Sequence, residues 1–227
     1  MDRYIALGIV QIMQIAGAIF DLDGTIVNTL PIVIESFHRA IRRFVDRTYT
    51  DDEITALFGP TEAGVLQRVI PNHWQEGLAV YVNEYERLYA QKLIGPFPGI
   101  EDALRLLKGA GVRTAVVTGK GADSTAFSLK QSGLDGYFDL VQAGSPDGPV
   151  KPSGIQEVLN LWGISPKVAF YLGDSPSDIQ DARRVGVIPL GAAWSVSSNL
   201  DVLNAQNPLA VFDTPQGFVN WITRNLT

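Results

Sequence analysis

Downstream of Gly99, short apolar segments alternate with segments of helical length along the chain. The apolar segments predict strands, at residues 112–117, 137–141, 168–172 and 187–190. The remaining segments predict helices, at residues 101–108, 122–131, 153–161 and 177–185. Strands that alternate with helices form βαβ units, and such units build a parallel sheet through right-handed crossovers. The sequence therefore predicts an α/β fold around a parallel sheet.

Two aspartates, Asp21 and Asp23, stand at the end of an earlier apolar run, residues 15–20. The run is short, apolar and bounded by a glycine, which predicts a buried parallel strand. Ligands bind outside the carboxyl ends of such strands, and both aspartates point the same way from that edge. One aspartate could act as a nucleophile while the other transfers protons, or both could hold a divalent cation. A polar turn is the simpler alternative, since Asp-Gly is a common turn dipeptide.

Three further groups of polar residues follow along the chain. Thr118 and Gly119 directly follow the strand predicted at 112–117, and Lys151 stands where a helix begins. Asp174 and Asp178 follow the strand predicted at 168–172. Each has a simpler interpretation as a backbone-bonded hydroxyl, a solvated lysine or a helix cap. Their placement at successive strand ends favours one shared site.

In this order, the four groups resemble the motifs of the haloacid dehalogenase superfamily, specifically of its phosphatases in the phosphoglycolate phosphatase-like branch. The resemblance extends over residues 15–190, most of the chain. Lys120 matches a lysine that is frequent in this branch, whereas Gly119 departs from a frequent asparagine. The resemblance implies a Rossmann-like doubly wound sheet with an α-helical cap inserted after the first strand.

The segment that would form the cap has a helical pattern. Apolar residues recur at helical spacing after Pro31, a short helix follows Asp51, and an amphipathic segment covers about 78–93. Residues 58–64 are predicted to form a loop.

We expect a catalytic core of residues 1–27 and 96–227 and a helical cap of residues 28–95. The resemblance implies that this cap closes over the site, with hinges near residues 27–29 and 95–99.

The resemblance also implies a Mg²⁺-dependent phosphatase. Asp21 would attack phosphorus to form an aspartyl-phosphate, and Asp23 would protonate the leaving group and then activate water. Asp21, Asp174 and the backbone carbonyl of Asp23 would hold Mg²⁺, an ion that prefers oxygen ligands. Asp178 would orient these ligands without binding the ion itself. Thr118, Gly119 and Lys151 would bind the phosphoryl oxygens, with Lys151 also offsetting the crowded carboxylates.

Substrate choice in this family lies largely with the variable cap. We therefore expect Thr61, Glu62 and Arg68, in and near the predicted loop at 58–64, to contribute to specificity. The expected partner is a small phosphorylated metabolite. Phosphoglycolate is the leading candidate, followed by pyrophosphate, nucleoside monophosphates and sugar phosphates.

Other activities on the same scaffold stay open at this point. Dehalogenases of the superfamily lack the second aspartate, so Asp23 argues against that reaction. A phosphomutase or a pyrophosphatase remains an alternative, as does a non-catalytic pseudo-phosphatase that serves as a binding subunit.

Composition restricts the partners. The chain of 227 residues has a net charge of −6 and no basic cluster, which argues against a nucleic-acid partner. It contains no cysteine, which excludes disulfides and thiolate metal sites and suits a cytoplasmic location. We expect a monomer or a homodimer.

The first residues are more ambiguous, because residues 4–20 are nearly all apolar and approach the minimum length of a membrane span. Their last part is needed as the first strand, which leaves too few residues to cross a bilayer. We expect an extra N-terminal segment, with Met13 as an alternative start, rather than a docking segment or stable membrane insertion.

Overall fold

Within residues 14–226, which the computed structural model describes, six strands form one sheet. They are β1 (Gly17–Phe20), β2 (Arg113–Val117), β3 (Leu140–Gln142), β4 (Ala169–Gly173), β5 (Ile188–Ala192) and β6 (Ala210–Phe212). Every neighbouring pair is parallel, in the order β3-β2-β1-β4-β5-β6. The predicted α/β fold with a doubly wound parallel sheet is confirmed. The predicted N-terminal extension, with the alternative start at Met13, lies outside the described residues.

Helices cover both faces of the sheet and fill the long segment after β1. Between β1 and β2 lie α1 (Leu30–Ile41), α2 (Asp51–Thr55), α3 (Glu62–Val69), α4 (Trp74–Gln91) and α5 (Ile100–Gly109). Later in the chain come α6 (Ala122–Gln131), α7 (Lys151–Trp162), α8 (Pro176–Val185), α9 (Leu200–Asn204) and α10 (Pro215–Asn225). Among the described residues, no helix has both the length and the mean hydropathy that crossing a membrane requires.

The central strand β1 separates two apolar clusters. All four of its residues are buried, as expected of a strand with parallel neighbours on both sides. Because side chains alternate, Ile19 packs into one cluster with Tyr171, and Phe20 packs into the other with Phe170 and Phe218. The sheet is therefore covered on both faces by apolar side chains.

The start of α3 differs from the sequence prediction. The sequence predicts a loop over 58–64, but the helix begins at Glu62. Thr61 is its N-cap, and its hydroxyl accepts a hydrogen bond from the Gly64 amide at 3.5 Å. The Gly59-Pro60 pair suggests a break in helical structure, although the next residue is a good helix cap. The loop prediction is wrong from Glu62 onward.

The strand predicted at 137–141 is also displaced, since β3 covers Leu140–Gln142. Tyr137 and Phe138 precede it and pack against the core instead of pairing with β2. Aromatic residues are typical of strands, and here that preference is overridden by packing.

The two segments predicted as hinges lie side by side. Val27 pairs with Pro96 in an antiparallel bridge. The Phe97 amide donates to the Ile26 carbonyl at 3.1 Å, and the Asn28 amide donates to the Gly95 carbonyl at 3.4 Å. The chain thus leaves and re-enters the sheet region through two adjacent segments. The division into a core and a cap stays a prediction.

Candidate active site

The site lies where three neighbouring strands end. The first residues after β1, β2 and β4 are Asp21, Thr118 and Asp174, respectively. In the sheet β1 is flanked by β2 and β4, and Phe20 is in register with Val116 and Leu172. The strand order reverses here, and ligands of open α/β sheets bind at such a reversal.

Three carboxylates cluster at this edge. Asp21, Asp174 and Asp178 each offer an oxygen, and these oxygens lie within 4.8 Å of one another. Burial raises the pKa of Asp21 to about 6, and the negative charges of Asp178 and Asp23 contribute to this shift. Burial, with the charges of Asp178 and Asp21, raises the pKa of Asp174 well above its usual value. Full ionisation of the cluster is therefore unfavourable unless a further cation is present.

Lys151, the first residue of α7, supplies a cation to this cluster. Its Nζ lies 3.0 Å from Asp21 Oδ2 and 2.6 Å from Asp178 Oδ1. Although burial alone would lower it, the pKa of Lys151 is held well above its usual value by Asp178 and Asp21. The structure thus joins the predicted lysine to two of the predicted aspartates.

Asp178 is fully buried and has both oxygens occupied by protein donors. Oδ1 accepts from Lys151 and, at 3.3 Å, from the Tyr171 hydroxyl. Oδ2 accepts from the Ser175 hydroxyl at 2.6 Å and from its amide at 3.1 Å, which closes a capping box at the start of α8. This setting suits a residue that orients its neighbours rather than one that binds an ion.

Asp23 is held by two donors from different parts of the chain. Its Oδ1 accepts a hydrogen bond from the hydroxyl of Thr29, and its Oδ2 lies 3.4 Å from Lys120 Nζ. Thr29 stands at the N-cap of α1 but makes no side-chain capping bond there. Its hydroxyl faces Asp23 instead, which suggests that its position serves the site more than the helix.

Thr118 and Gly119 form a tightly packed turn beside Asp21. The buried Thr118 hydroxyl accepts a hydrogen bond from the Lys120 amide at 3.3 Å, which leaves its own proton available to an acceptor. A Cβ built on Gly144 would lie 2.1 Å from the Gly119 carbonyl oxygen, so only glycine fits opposite this turn.

Lys120 was not predicted as a site residue, yet its side chain is 2% exposed and borders Asp23. Its Nζ is also 3.7 Å from Glu62 Oε1. The sequence offers two signals for it, its position directly after Thr118 and Gly119 and its match to a lysine frequent in the phosphoglycolate phosphatase-like branch. Its burial follows from contacts with a distant segment, which a local pattern cannot predict.

The three predicted specificity residues have different surroundings. Glu62 is buried, and its Oε2 accepts from the Gly121 amide at 2.8 Å. Thr61 is also buried, and its amide donates to the Ser145 carbonyl at 3.0 Å. Arg68 is exposed in the last turn of α3. The structure therefore brings Thr61 and Glu62 to the site region and leaves Arg68 at the surface.

The carboxylate cluster fits a hard divalent cation. Asp21 Oδ1 is buried and has no hydrogen-bond partner within the described residues. Gly24 has φ +78°, and a Cβ there would lie 2.3 Å from Asp174 Oδ2, so this carboxylate packs directly on backbone. The donor set contains only oxygen, the ligand type that Mg²⁺ prefers.

Comparison with known proteins agrees with this geometry. Residues 18–192 match the family model of the haloacid dehalogenase-like hydrolases. The chain is similar to Pyrophosphatase PpaX of Listeria welshimeri, with 30% identity over 190 residues that cover 81% of this chain and 85% of that protein.

Solved structures show the same fold. The chain resembles a predicted phosphoglycolate phosphatase of Haemophilus somnus, with a TM-score of 0.74, 23% identity and coverage of 92% of this chain and 98% of that one. It also resembles a putative beta-phosphoglucomutase of Thermotoga maritima, with a TM-score of 0.72, 22% identity and coverage of 92% and 99%. The resemblance to this superfamily and to its phosphoglycolate phosphatase-like members is confirmed. The chain belongs to the haloacid dehalogenase-like hydrolase family.

Proposed function

We propose that this hydrolase is a Mg²⁺-dependent phosphatase that cleaves a small phosphate monoester through an aspartyl-phosphate on Asp21. The observation that carries the proposal is the state of the Asp21 carboxylate. One of its oxygens is paired with Lys151, whereas the other is buried and has no hydrogen-bond partner among residues 14–226. A carboxylate that is fixed through one oxygen and free at the other is suited to nucleophilic attack.

The metal and the phosphoryl group would be held by neighbouring residues. Asp21, Asp174 and the backbone carbonyl of Asp23 would hold Mg²⁺, which neutralises the negative charge of the phosphate. Thr118 and Gly119 would donate hydrogen bonds to the phosphoryl oxygens. Lys151 would offset charge on the same oxygens from its place beside Asp21.

The reaction then has two steps. An oxygen of Asp21 bonds to phosphorus while the bond to the leaving oxygen breaks, and Asp23 donates a proton to that oxygen. In the second step Asp23 takes a proton from water, whose oxygen attacks phosphorus and releases both inorganic phosphate and the Asp21 carboxylate. The side chain of Asp23 is 17% exposed, which leaves it access to a substrate or to water.

The helical segment 28–95 would serve as the cap that selects the substrate. The adjacent connections at 27–29 and 95–99 would let it move relative to the sheet. Thr61 and Glu62 support this role, because both lie near the predicted phosphate-binding turn.

Alanine at either position should change the ranking of substrates more than the rate on 4-nitrophenyl phosphate. The exposed Arg68 provides a comparison, since Arg68→Ala should have the smallest effect on that ranking.

A pyrophosphatase is the second candidate, because similar proteins carry that name. Phosphate release from phosphoglycolate, pyrophosphate, sugar phosphates and nucleoside monophosphates, each with Mg²⁺ and with a chelator, separates the two. Preference for a monoester supports the first proposal, and preference for pyrophosphate supports the second.

Conversion of a sugar phosphate to its isomer without phosphate release, followed by ³¹P NMR, would identify a mutase. No turnover of any compound would refute the enzymatic proposal.

A further inference from the structure

Lys120 is placed unusually for a lysine, since most lysines keep their ammonium group in water. Its Nζ lies 4.2 Å from the ring centroid of Tyr85, 3.4 Å from Asp23 Oδ2 and 3.7 Å from Glu62 Oε1. Two carboxylates and an aromatic face thus surround one buried cation. Although burial alone would lower it, the pKa of Lys120 is raised well above its usual value, with Asp23 as the strongest cause.

The backbone of Lys120 is fixed from the sheet side. Its amide donates to the Thr118 hydroxyl at 3.3 Å, and its carbonyl accepts from the Gly144 amide at 2.8 Å. The side chain therefore starts from a rigid turn at the end of β2.

The far end of the side chain is held by the helical segment. Glu62 lies in the first turn of α3, and its other oxygen accepts from the Gly121 amide at 2.8 Å. Tyr85 lies in α4, and its hydroxyl is hydrogen-bonded to Ser128 at 2.8 Å. Both residues that hold the ammonium group are themselves anchored to α6 or to the residue before it, so the group has little freedom.

The target of this arrangement is the Asp23 carboxylate. Thr29 fixes one of its oxygens, and Lys120 faces the other. Proton transfer requires the acid to lie within hydrogen-bond reach of the leaving oxygen, and small misplacements are costly. Lys120 faces Asp23 and Glu62, whereas Lys151 faces Asp21, so Lys120 is placed to act on the proton-transfer group rather than on the phosphoryl group.

We propose that Lys120 is a positioning residue, which holds Asp23 in place for proton transfer and is itself held by Glu62 and Tyr85. The inference rests on the proposed function, in which Asp23 protonates the leaving oxygen. It links the helical segment to the acid–base step through charged contacts, so that displacement of Glu62 also loosens Asp23.

The dependence of the rate on the leaving group tests this role. A nitrophenolate leaves readily without a proton, whereas an alkoxide needs one. Lys120→Met keeps the aliphatic stem and removes the charge. We expect this variant to lose about 10–100-fold more kcat/KM on benzyl phosphate than on 4-nitrophenyl phosphate, a part of the 10²–10⁴-fold that acid–base catalysis contributes. Phenyl phosphate should fall between them.

Three further variants complete the test. Glu62→Gln leaves Lys120 in place and should lower kcat/KM on benzyl phosphate relative to 4-nitrophenyl phosphate by a smaller factor. This variant provides the test if Lys120→Met does not fold. The double variant should resemble Lys120→Met alone, because both changes act through one contact. Lys130→Met, at an exposed lysine of α6, is the matched control and should leave the ratio unchanged.

Equal losses on all three esters in Lys120→Met, or an unchanged ratio in Glu62→Gln, would overturn the positioning role. A purely structural defect would produce the equal losses, since it lowers the amount of active enzyme without regard to the leaving group. Failure of the wild type to cleave any ester would instead refute the proposed function, and so would activity that survives Asp21→Asn.

Discussion

Replacing Asp21 with asparagine should stabilise the metal-free protein at neutral pH. Asparagine has nearly the shape of a protonated aspartate, so the substitution removes the cost of ionising this buried group. Burial raises the pKa of Asp21 from its ordinary value of 3.8 to about 6, even though Lys151 acts in the opposite direction. One pKa unit corresponds to about 1.4 kcal/mol. Ionised Asp21 therefore lowers the free energy of unfolding by about 3 kcal/mol at pH 7.

The sign of the pH dependence follows from the raised pKa. Between about pH 4 and 6 the folded state retains a proton that the unfolded state has lost, so the wild type loses stability as the pH rises. At and above pH 7 nearly the whole penalty is present. At pH 4.5 the same relation leaves a difference between variant and wild type of about 1 kcal/mol.

Urea unfolding of both proteins in a chelating buffer at pH 7 and pH 4.5 measures these differences. Asp135→Asn, at an exposed aspartate, is the control and should change neither value. A ligand present at 100 times its Kd stabilises the folded state by about 2.7 kcal/mol. Saturating Mg²⁺ should therefore stabilise the wild type but not the variant, and it should remove most of the difference in their free energies of unfolding. A variant that is less stable than the wild type at pH 7, or a difference that does not shrink at pH 4.5, would refute this reasoning.

Four other substitutions test the same site. Asp174→Ala should abolish Mg²⁺ binding measured by calorimetry, whereas Asp178→Ala should weaken it about 10–100-fold, because its oxygens already accept from protein donors. Equal losses would mean that Asp178 also binds the ion. Gly24→Ala should lower the urea midpoint and Mg²⁺ affinity together, since its φ is +78° and its Cβ would meet Asp174; unchanged values would contradict the close packing. Thr118→Val should reduce kcat/KM about 10²–10³-fold, as expected when one donor to the phosphoryl oxygens is removed, and should lower the stability by only about 1 kcal/mol, because the Lys120 amide loses its acceptor; a smaller loss of activity would argue against that role.

The sheet and the meeting of the strand ends could be predicted because both depend on local patterns. Continuous apolar runs indicate buried parallel strands, and a polar residue directly after such a run lies at the edge where ligands bind. Asp21, Thr118 and Asp174 satisfy this condition. The pairing of Lys151 with Asp21 was expected from charge, since a crowded group of carboxylates needs a nearby cation.

Contacts between distant segments could not be predicted in this way. Glu62 and Gly121 are 59 residues apart, and neither α3 nor α6 carries a pattern that specifies their contact. The strand β6 is short and lies at the sheet edge, so it lacks the continuous buried run that identifies β1 and β4. Arg68 was grouped with Glu62 by sequence proximity, but six residues of helix point the two side chains to different surroundings.

The proposed mechanism requires that Asp21 becomes covalently phosphorylated during turnover. Wild-type protein should be mixed with Mg²⁺ and a substrate that it hydrolyses, quenched in acid within the first turnover and digested for peptide mass spectrometry. We expect an added phosphoryl group on Asp21, and none in Asp21→Asn treated in the same way. A wild-type enzyme that releases phosphate while a phosphoryl group is found on another residue, or while the Asp21→Asn variant remains fully active, would contradict it.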